Sequence, residues 1–422
     1  MSLSLPEARA AVFREVAQLA APLRRHEPVP LGEAAGRVLA VEVRADRDQP
    51  PFDRSTRDGF AVRAADVAGA SPERPAAVRR VGEVAAGAAF SGRVDGGSCV
   101  EIMTGAPLPP GTDAVVMVEH TGRAGDEIQV RRPVVAGENI VPRGSELGAG
   151  ALACAAGALL DPATIGLLAS LGAARPQVVA RPRVAVLATG DELVSVEVIP
   201  APSQIRDSNR HTLAAQIARA GGQPLPQPIV HDDPAAIQTA LAQAVAEADL
   251  LLVSGGVSMG KYDFVEGALA QLGARMVFDS VDIRPGKPLV FGVIGTGGSE
   301  GRRIPFFGLP GNPLSTLVTF ELFVRPAIGL LLGRAEPPVL AATGARLAVD
   351  YAQRKLPLTV FVPAAFVSSG DPAAMVPLVV VQPVPSQGSG DLKSMAAADA
   401  LMIVEPGTTA LPAGSMVAVL PK

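Results

Sequence analysis

The chain has 422 residues, a formal net charge of −4, 48% hydrophobic and 18% charged residues. That composition is globular, too long for one core, and too acidic for broad nucleic-acid binding. Two cysteines, Cys99 and Cys154, and four histidines without ligand spacing exclude a disulfide framework and a thiolate zinc cluster, so any metal is expected on oxygen ligands.

Leu5, Ala8, Val12, Val16 and Leu19 recur at helical spacing, which predicts a helix over 5–20. Glu7, Arg9 and Arg14 interrupt this stretch, so it does not read as a signal peptide. A second short helix is expected at 31–38. From Val41 to about Val141, short apolar runs such as Ala61–Val62, Ala114–Val118 and Ile128–Val130 alternate with Gly, Pro and Asp, the pattern of a β-rich region. Asp161 and Pro162 open a helix that Gly172 closes. It is expected to pack on the N-terminal helix, making one unit from two separated segments.

Residues 183–332 alternate strand and helix, which predicts a mainly parallel sheet covered by helices. Strands are expected at 184–188, 228–230, 250–253, 275–281, 288–294 and 304–308, with helices at 208–220, 234–246, 264–272 and 313–332. Beyond Pro338 the pattern returns to strands at 345–349, 358–366, 375–381, 401–404 and 416–420, suited to a small β-barrel. Gly, Pro or charge breaks each apolar run before the roughly 20 residues of a bilayer span. A cytoplasmic protein without membrane or nucleic-acid partners is expected.

Ligands of a parallel sheet lie at the carboxyl ends of its strands. There, Leu250–Val253 breaks into Ser254-Gly255-Gly256-Val257-Ser258-Met259-Gly260, small residues whose backbone N–H groups suit an anion. Three further loops are expected to converge on it. Thr189-Gly190-Asp191-Glu192 brings carboxylates, Arg206-Asp207-Ser208-Asn209 opens a helix, and Arg284-Pro285-Gly286-Lys287-Pro288 fixes two cations on a rigid turn. Together they point to a phosphate-bearing ligand with Mg²⁺. Pro310-Gly311-Asn312-Pro313-Leu314-Ser315 adds a fifth loop, where Asn312 is placed to cap the following helix. In the β-rich region, Phe52-Asp53-Arg54-Ser55-Thr56-Arg57-Asp58-Gly59 and Met103-Thr104-Gly105-Ala106-Pro107 crowd carboxylates and hydroxyls beside glycine turns. Each feature also has a structural reading: Asp191 and Asp207 as helix caps, Arg284 paired with Asp282, the polar turns as plain surface.

These segments, in this order from 52 to 315, resemble the molybdopterin molybdenumtransferase family, the MoeA proteins and the E domain of gephyrin and its plant counterparts. Gln387-Gly388-Ser389-Gly390 and Ala398-Asp399-Ala400-Leu401 extend the likeness toward the C-terminus. The resemblance implies a multidomain α/β plus β protein: a discontinuous helical linker domain (1–45 and 141–180), a β-rich domain (46–140), a mainly parallel three-layer α/β domain (181–332) and a C-terminal β-barrel (338–422). It implies a homodimer with its site between the α/β domain of one subunit and the β-rich domain of the other. The implied reaction inserts molybdate into adenylylated molybdopterin with Mg²⁺-dependent loss of AMP, and the molybdopterin adenylyltransferase is an implied partner.

By position, the resemblance makes Asp58, Glu192 and Asp263 the catalytic carboxylates, with Glu192 and Asp263 on the metal. Ser254, Gly255, Gly256, Val257 and Ser258 would hold the pterin-linked phosphates. Thr104 and Glu146, with Asp53 and Ser55, would line the facing side. Arg284, Lys287 and Ser389 would take the oxyanion, and Asp207, Asn209, Pro310, Asn312, Pro313 and Ser315 complete the substrate site. The chain departs from the family pattern at Leu358, where an oxyanion-binding Arg is usual, with Arg354 as the substitute if the strand shifts. Arg284 stands where Lys is frequent, and Glu146 where Asp is. Two other readings remain open at this level: a non-catalytic molybdopterin-binding or scaffold paralogue, and a molybdopterin adenylyltransferase.

Overall fold

A computed structural model describes residues 2–256, 264–296, 301–334, 342–367 and 379–422. At its centre the strands Arg183–Thr189, Leu250–Ser254 and Arg302–Leu309 lie side by side and parallel, with Gln223–Val230 parallel on the outer flank. Leu250, Leu251, Leu252 and Val253 are fully buried, as an unbroken apolar strand covered on both faces must be. Val290–Thr296 and Arg275–Phe278 complete the other edge in antiparallel sense.

Helix Asn209–Ala220 ends at Gly221 with φ 92°. Helix Pro234–Glu247 begins where Asp233 accepts a hydrogen bond from the Ala236 amide. The helix over Pro313–Leu331 is long and apolar enough by length and composition to cross a membrane, yet 78% of that window is buried inside the fold. Glu321, Arg325, Pro326 and Gly329 interrupt its apolar run, as the sequence reading expects. Glu321 and Arg325 sit one turn apart and bond each other at 2.9 Å, so the helix carries two charges through its core-facing stretch as a pair.

The N-terminal helix Leu5–Leu23 does not join the helix Pro162–Ser170 as expected. Its buried Ala8, Val12, Val16 and Ala20 belong to the α/β core, packed on the C-terminal part of the 313–331 helix. Pro162–Ser170 instead buries Leu168 in a smaller cluster with Val29, Leu39, Leu160 and Val178. The two separated segments meet there through strand pairs, His26–Pro28 with Gln177–Val179 and Val43–Arg44 with Leu152–Cys154. The helix expected over 31–38 is one 3-10 turn, Leu31–Glu33, after which Val38 and Leu39 form bridges to Leu159 and Val178.

In the β-rich part, six strands run in the order 114–117, 59–62, 98–102, 76–84, 127–130, 121–124. Phe60 and Val62 point into one buried cluster and Ala61 into another, so this sheet is covered on both faces. Near the C-terminus, Thr343–Leu347, Thr359–Val367, Val380–Pro383, Ala400–Val404 and Met416–Pro421 close into a five-stranded barrel. Closure comes from Thr359–Val367, which pairs with both Val380–Pro383 and Ala400–Val404. The strand expected at 375–381 lies largely outside the described residues. Ile283–Arg284 pairs with Thr359–Val360, fastening the Pro-Gly-Lys turn to the barrel.

Candidate functional site

The loops after the parallel strands enclose a cavity of about 430 Å³ lined by Thr189, Glu192, Asp207, Asn209, Ser254, Gly255, Gly256, Pro310, Asn312 and Pro313, among others. Asn209 ties its walls together. Its side-chain amide donates to Ser254 Oγ at 2.9 Å and to the Gly311 carbonyl at 2.8 Å. The carbonyl fixes which end is nitrogen, leaving Asn209 Oδ1 buried without a partner among the described residues, as is the Thr189 hydroxyl. A buried amide oxygen and a buried hydroxyl suit a ligand that can donate to the one and exchange a hydrogen bond with the other. Asp207 is buried: its Oδ1 accepts from the Arg210 amide at 3.1 Å, while its Oδ2 lies 3.2 Å from Arg210 Nε as an ion pair without a hydrogen bond, so the residue holds the helix start that presents Asn209.

The turn at Gly255 requires glycine. Its φ is +88°, and a Cβ there would lie 2.7 Å from the Thr189 carbonyl oxygen. Glu192 is exposed at the cavity, and its carboxylate has no partner among the described residues. Those residues contain no group of three His, Cys, Asp or Glu side chains able to enclose a metal. Mg²⁺ is usually held by one or two carboxylates plus substrate phosphates, and a free carboxylate beside an anion-accepting loop fits that mode.

A second cavity, of about 1120 Å³, lies between the α/β part and the barrel, and shares Pro288, Pro310 and Asn312 with the first. Arg284, Lys287, Ser315, Arg354, Leu358, Ser386 and Ser389 line it. Arg284 does not pair with Asp282, whose carboxylate accepts from Ser2 Oγ at 2.6 Å. Burial raises the Tyr351 phenol above its usual range while nearby Arg284 pulls it down, which places that guanidinium at the cavity wall. Asn312 occupies the cap position of its helix, but its side chain makes no capping bond, and the residue lines both cavities. The Ser389 carbonyl accepts from the Leu314 amide at 2.9 Å, docking the barrel loop on the helix start.

The fourth loop thus opens mainly onto the second cavity and not onto the first with the other three. Tyr351 and Ser386, absent from the sequence reading, also line that second cavity. Both sit in short irregular stretches with no periodic signal.

The remaining residues gather in the β-rich part and line neither cavity. Asp58 Oδ1 accepts from the Thr104 amide at 2.6 Å and from its hydroxyl at 2.7 Å. Glu146 pairs with Arg54 at 2.9 Å, and Asp53 accepts from the Arg143 amide at 2.7 Å. Ser55 is buried and spends its hydroxyl on the Arg57 carbonyl at 2.6 Å, a turn-holding role. Val257, Ser258 and Asp263 lie outside the described residues.

The Thr104 amide, and secondarily its hydroxyl, hold the Asp58 carboxyl below the ordinary aspartate value. Because the folded pKa is depressed, the stabilisation is complete above the ordinary aspartate value and is lost as pH falls through the lower folded value. Thr104→Ala should move the Asp58 titration back upward, read by carbon-detected NMR of the carboxyl. An unmoved midpoint would remove the hydroxyl from the clasp.

A parallel α/β sheet with an anion-accepting loop, joined through a cationic turn to a β-barrel, defines a multidomain protein built to handle phosphorylated and oxyanionic ligands. Residues 3–172 match the family model of the MoeA N-terminal region (domains I and II), 185–329 that of a probable molybdopterin binding domain, and 345–422 the MoeA C-terminal region (domain IV). The molybdopterin molybdenumtransferase of a Nostoc species is 39% identical over 310 residues, covering 74% of this chain and 70% of that protein. The Bacillus subtilis molybdopterin molybdenumtransferase is 35% identical over 399 residues, 93% and 89% of the two chains. The crystal structure of a molybdopterin biosynthesis MoeA protein from Pyrococcus horikoshii superposes with a TM-score of 0.83 at 27% identity, covering 100% of both chains. The chain belongs to the molybdopterin molybdenumtransferase family.

Proposed function

We propose that this chain acts in molybdenum cofactor biosynthesis by inserting molybdate into adenylylated molybdopterin, with Mg²⁺-dependent release of AMP. The observation that carries the reading is the pair of adjoining cavities, one walled by a glycine turn with Asn209 Oδ1 and the Thr189 hydroxyl, the other by Arg284 and Lys287, with Asn312 lining both. The first suits a phosphorylated pterin, whose phosphates meet the Ser254–Gly256 backbone while its hydrogen-bearing edges reach Asn209 and Thr189. The second suits the tetrahedral dianion molybdate, since Arg284 and Lys287 offset its charge.

Glu192, joined by Asp263, would hold Mg²⁺. When bound, the ion would neutralise phosphate oxygens and ease departure of AMP. Asp58, held anionic by Thr104, sits in the β-rich cluster and lines neither cavity. A symmetric homodimer would carry Asp58, Thr104 and Glu146 of one subunit to the cavities of the other.

The test is single-turnover release of AMP from purified protein loaded with adenylylated molybdopterin, with and without molybdate, tungstate and Mg²⁺. Release that needs both an oxyanion and Mg²⁺ is expected. Tight pterin binding without release under any condition would instead assign the chain to non-catalytic binding.

A further inference from the structure

A third cavity, of about 550 Å³, lies in the β-rich part and shares no residue with the other two. Three segments meet at it: the turn after helix Ala64–Val67, the 3-10 turn before strand 121–124, and the exit of strand 127–130. Ala70, Pro72 and Pro133 give it an apolar side, and Ala70 is buried in the core cluster of this sheet. A cavity of this size with an apolar wall and a few polar groups has the makeup of a small-molecule site.

Its polar groups divide into engaged and open ones. Arg132 pairs with Glu138 at 3.0 Å, and its Nη1 lies 3.4 Å from His120 Nε2. A guanidinium only donates, so this ring nitrogen accepts and the imidazole proton sits on Nδ1. Arg131 and Glu119 also line the cavity, and neither has a side-chain partner among the described residues. Arg131 is nevertheless placed. A Cβ at Gly122 would fall 2.8 Å from its Nη2 and 3.4 Å from its Cζ, so the guanidinium lies against the bare backbone of that glycine. The Arg131 amide donates to the His120 carbonyl at 2.9 Å, continuing the pairing of Thr121 with Val130. Glu119 and Arg131 therefore stand on neighbouring chain segments, one residue out of step. They do not pair with each other, which leaves one positive and one negative charge open at the same cavity.

We propose that this cavity binds a free α-amino acid with an apolar side chain. Arg131 takes the carboxylate through two parallel N–H groups, with the His120 Nδ1–H as a further donor, and Glu119 takes the ammonium. Ala70, Pro72 and Pro133 cover the side chain. The charges select this class. A plain anion would leave Glu119 unanswered and a plain amine would leave Arg131 so, whereas an amino acid carries both charges next to one carbon. In a peptide the two charges lie at opposite ends, too far apart for residues this close.

The experiment is isothermal titration of the full chain with leucine, with isocaproate, which lacks the ammonium, and with isoamylamine, which lacks the carboxylate. Leucine should bind the parent, and each of the other two about tenfold or more weakly, since each lacks one hydrogen bond between charged groups. Arg131→Gln and Glu119→Gln should each weaken leucine by about tenfold or more, while Glu119→Gln should not weaken isocaproate. Both residues are exposed, so the melting temperature should stay parental in both variants. The proposal is overturned if the parent shows no saturable binding of leucine, if isocaproate binds it as tightly as leucine does, or if either variant keeps the parental affinity for leucine.

Discussion

Gly255→Ala should lower single-turnover AMP release by about 100-fold, the scale on which a shift of roughly 1 Å in a positioned group costs rate. The backbone at 255 has φ +88°, and an alanine Cβ would meet the Thr189 carbonyl oxygen at 2.7 Å. The strand carrying Thr189 is the parallel neighbour of the one carrying Ser254, so neither side has room to retreat without moving the sheet. The turn must therefore rotate, taking with it Gly256 and the Ser254 hydroxyl that Asn209 holds at 2.9 Å. Positive φ adds about 1–2 kcal/mol of strain for a residue with a Cβ. The control is Gly267→Ala, a helical glycine with nothing within 4 Å, where a small gain in stability is expected. Parental AMP release by Gly255→Ala would show that the turn does not hold the phosphates.

Three loops of this site were legible because they follow apolar strands of the α/β sheet and are written in Gly, Pro and small polar residues: those after Arg183–Thr189, Leu250–Ser254 and Arg302–Leu309. Pro285-Gly286-Lys287 is a local turn signal too, but it follows Ile283–Arg284, which pairs with the barrel, so its place on the second cavity did not follow from sequence. What did not follow depends on contacts between distant segments. Asp58 and Thr104 look like two separate polar turns until strand 59–62 pairs with 98–102 and brings the carboxylate onto the Thr104 amide. Periodicity marks the N-terminal helix as amphipathic but cannot say which partner covers it, and the α/β core offers a larger apolar face than Pro162–Ser170, which buries only Leu168. The sequence placed Asn312 at a helix cap without revealing that its side chain makes no capping bond. The departure at Leu358 was visible, whereas the anchorage of the 351–356 loop on 407–411 was not.

Gly59→Ala should destabilise the β-rich sheet by about 3 kcal/mol, at the upper end of what overpacking costs, because here the obstacle is backbone. The φ of Gly59 is not the reason. A Cβ would fall 1.9 Å from the Val116 carbonyl oxygen, and strand 59–62 is flanked by 114–117 on one side and 98–102 on the other. Either the 114–117 pairing opens or the strand slides, and Asp58, whose carbonyl accepts from the Val118 amide at 3.1 Å, moves with it. For a unit of 60–100 residues each kcal/mol shifts the melting temperature by about 4–8 °C, so calorimetry should show an early transition absent from the parent. Gly69→Ala, with nothing within 4 Å of its Cβ, should melt as the parent does. Molybdate retention in dialysis should survive above that early transition, because the cationic cavity draws no residue from this sheet. AMP release should fall, because Asp58 and Thr104 no longer meet. If release instead persists after the early transition, the β-rich cluster plays no part in the reaction, and the carboxylates of the α/β part suffice.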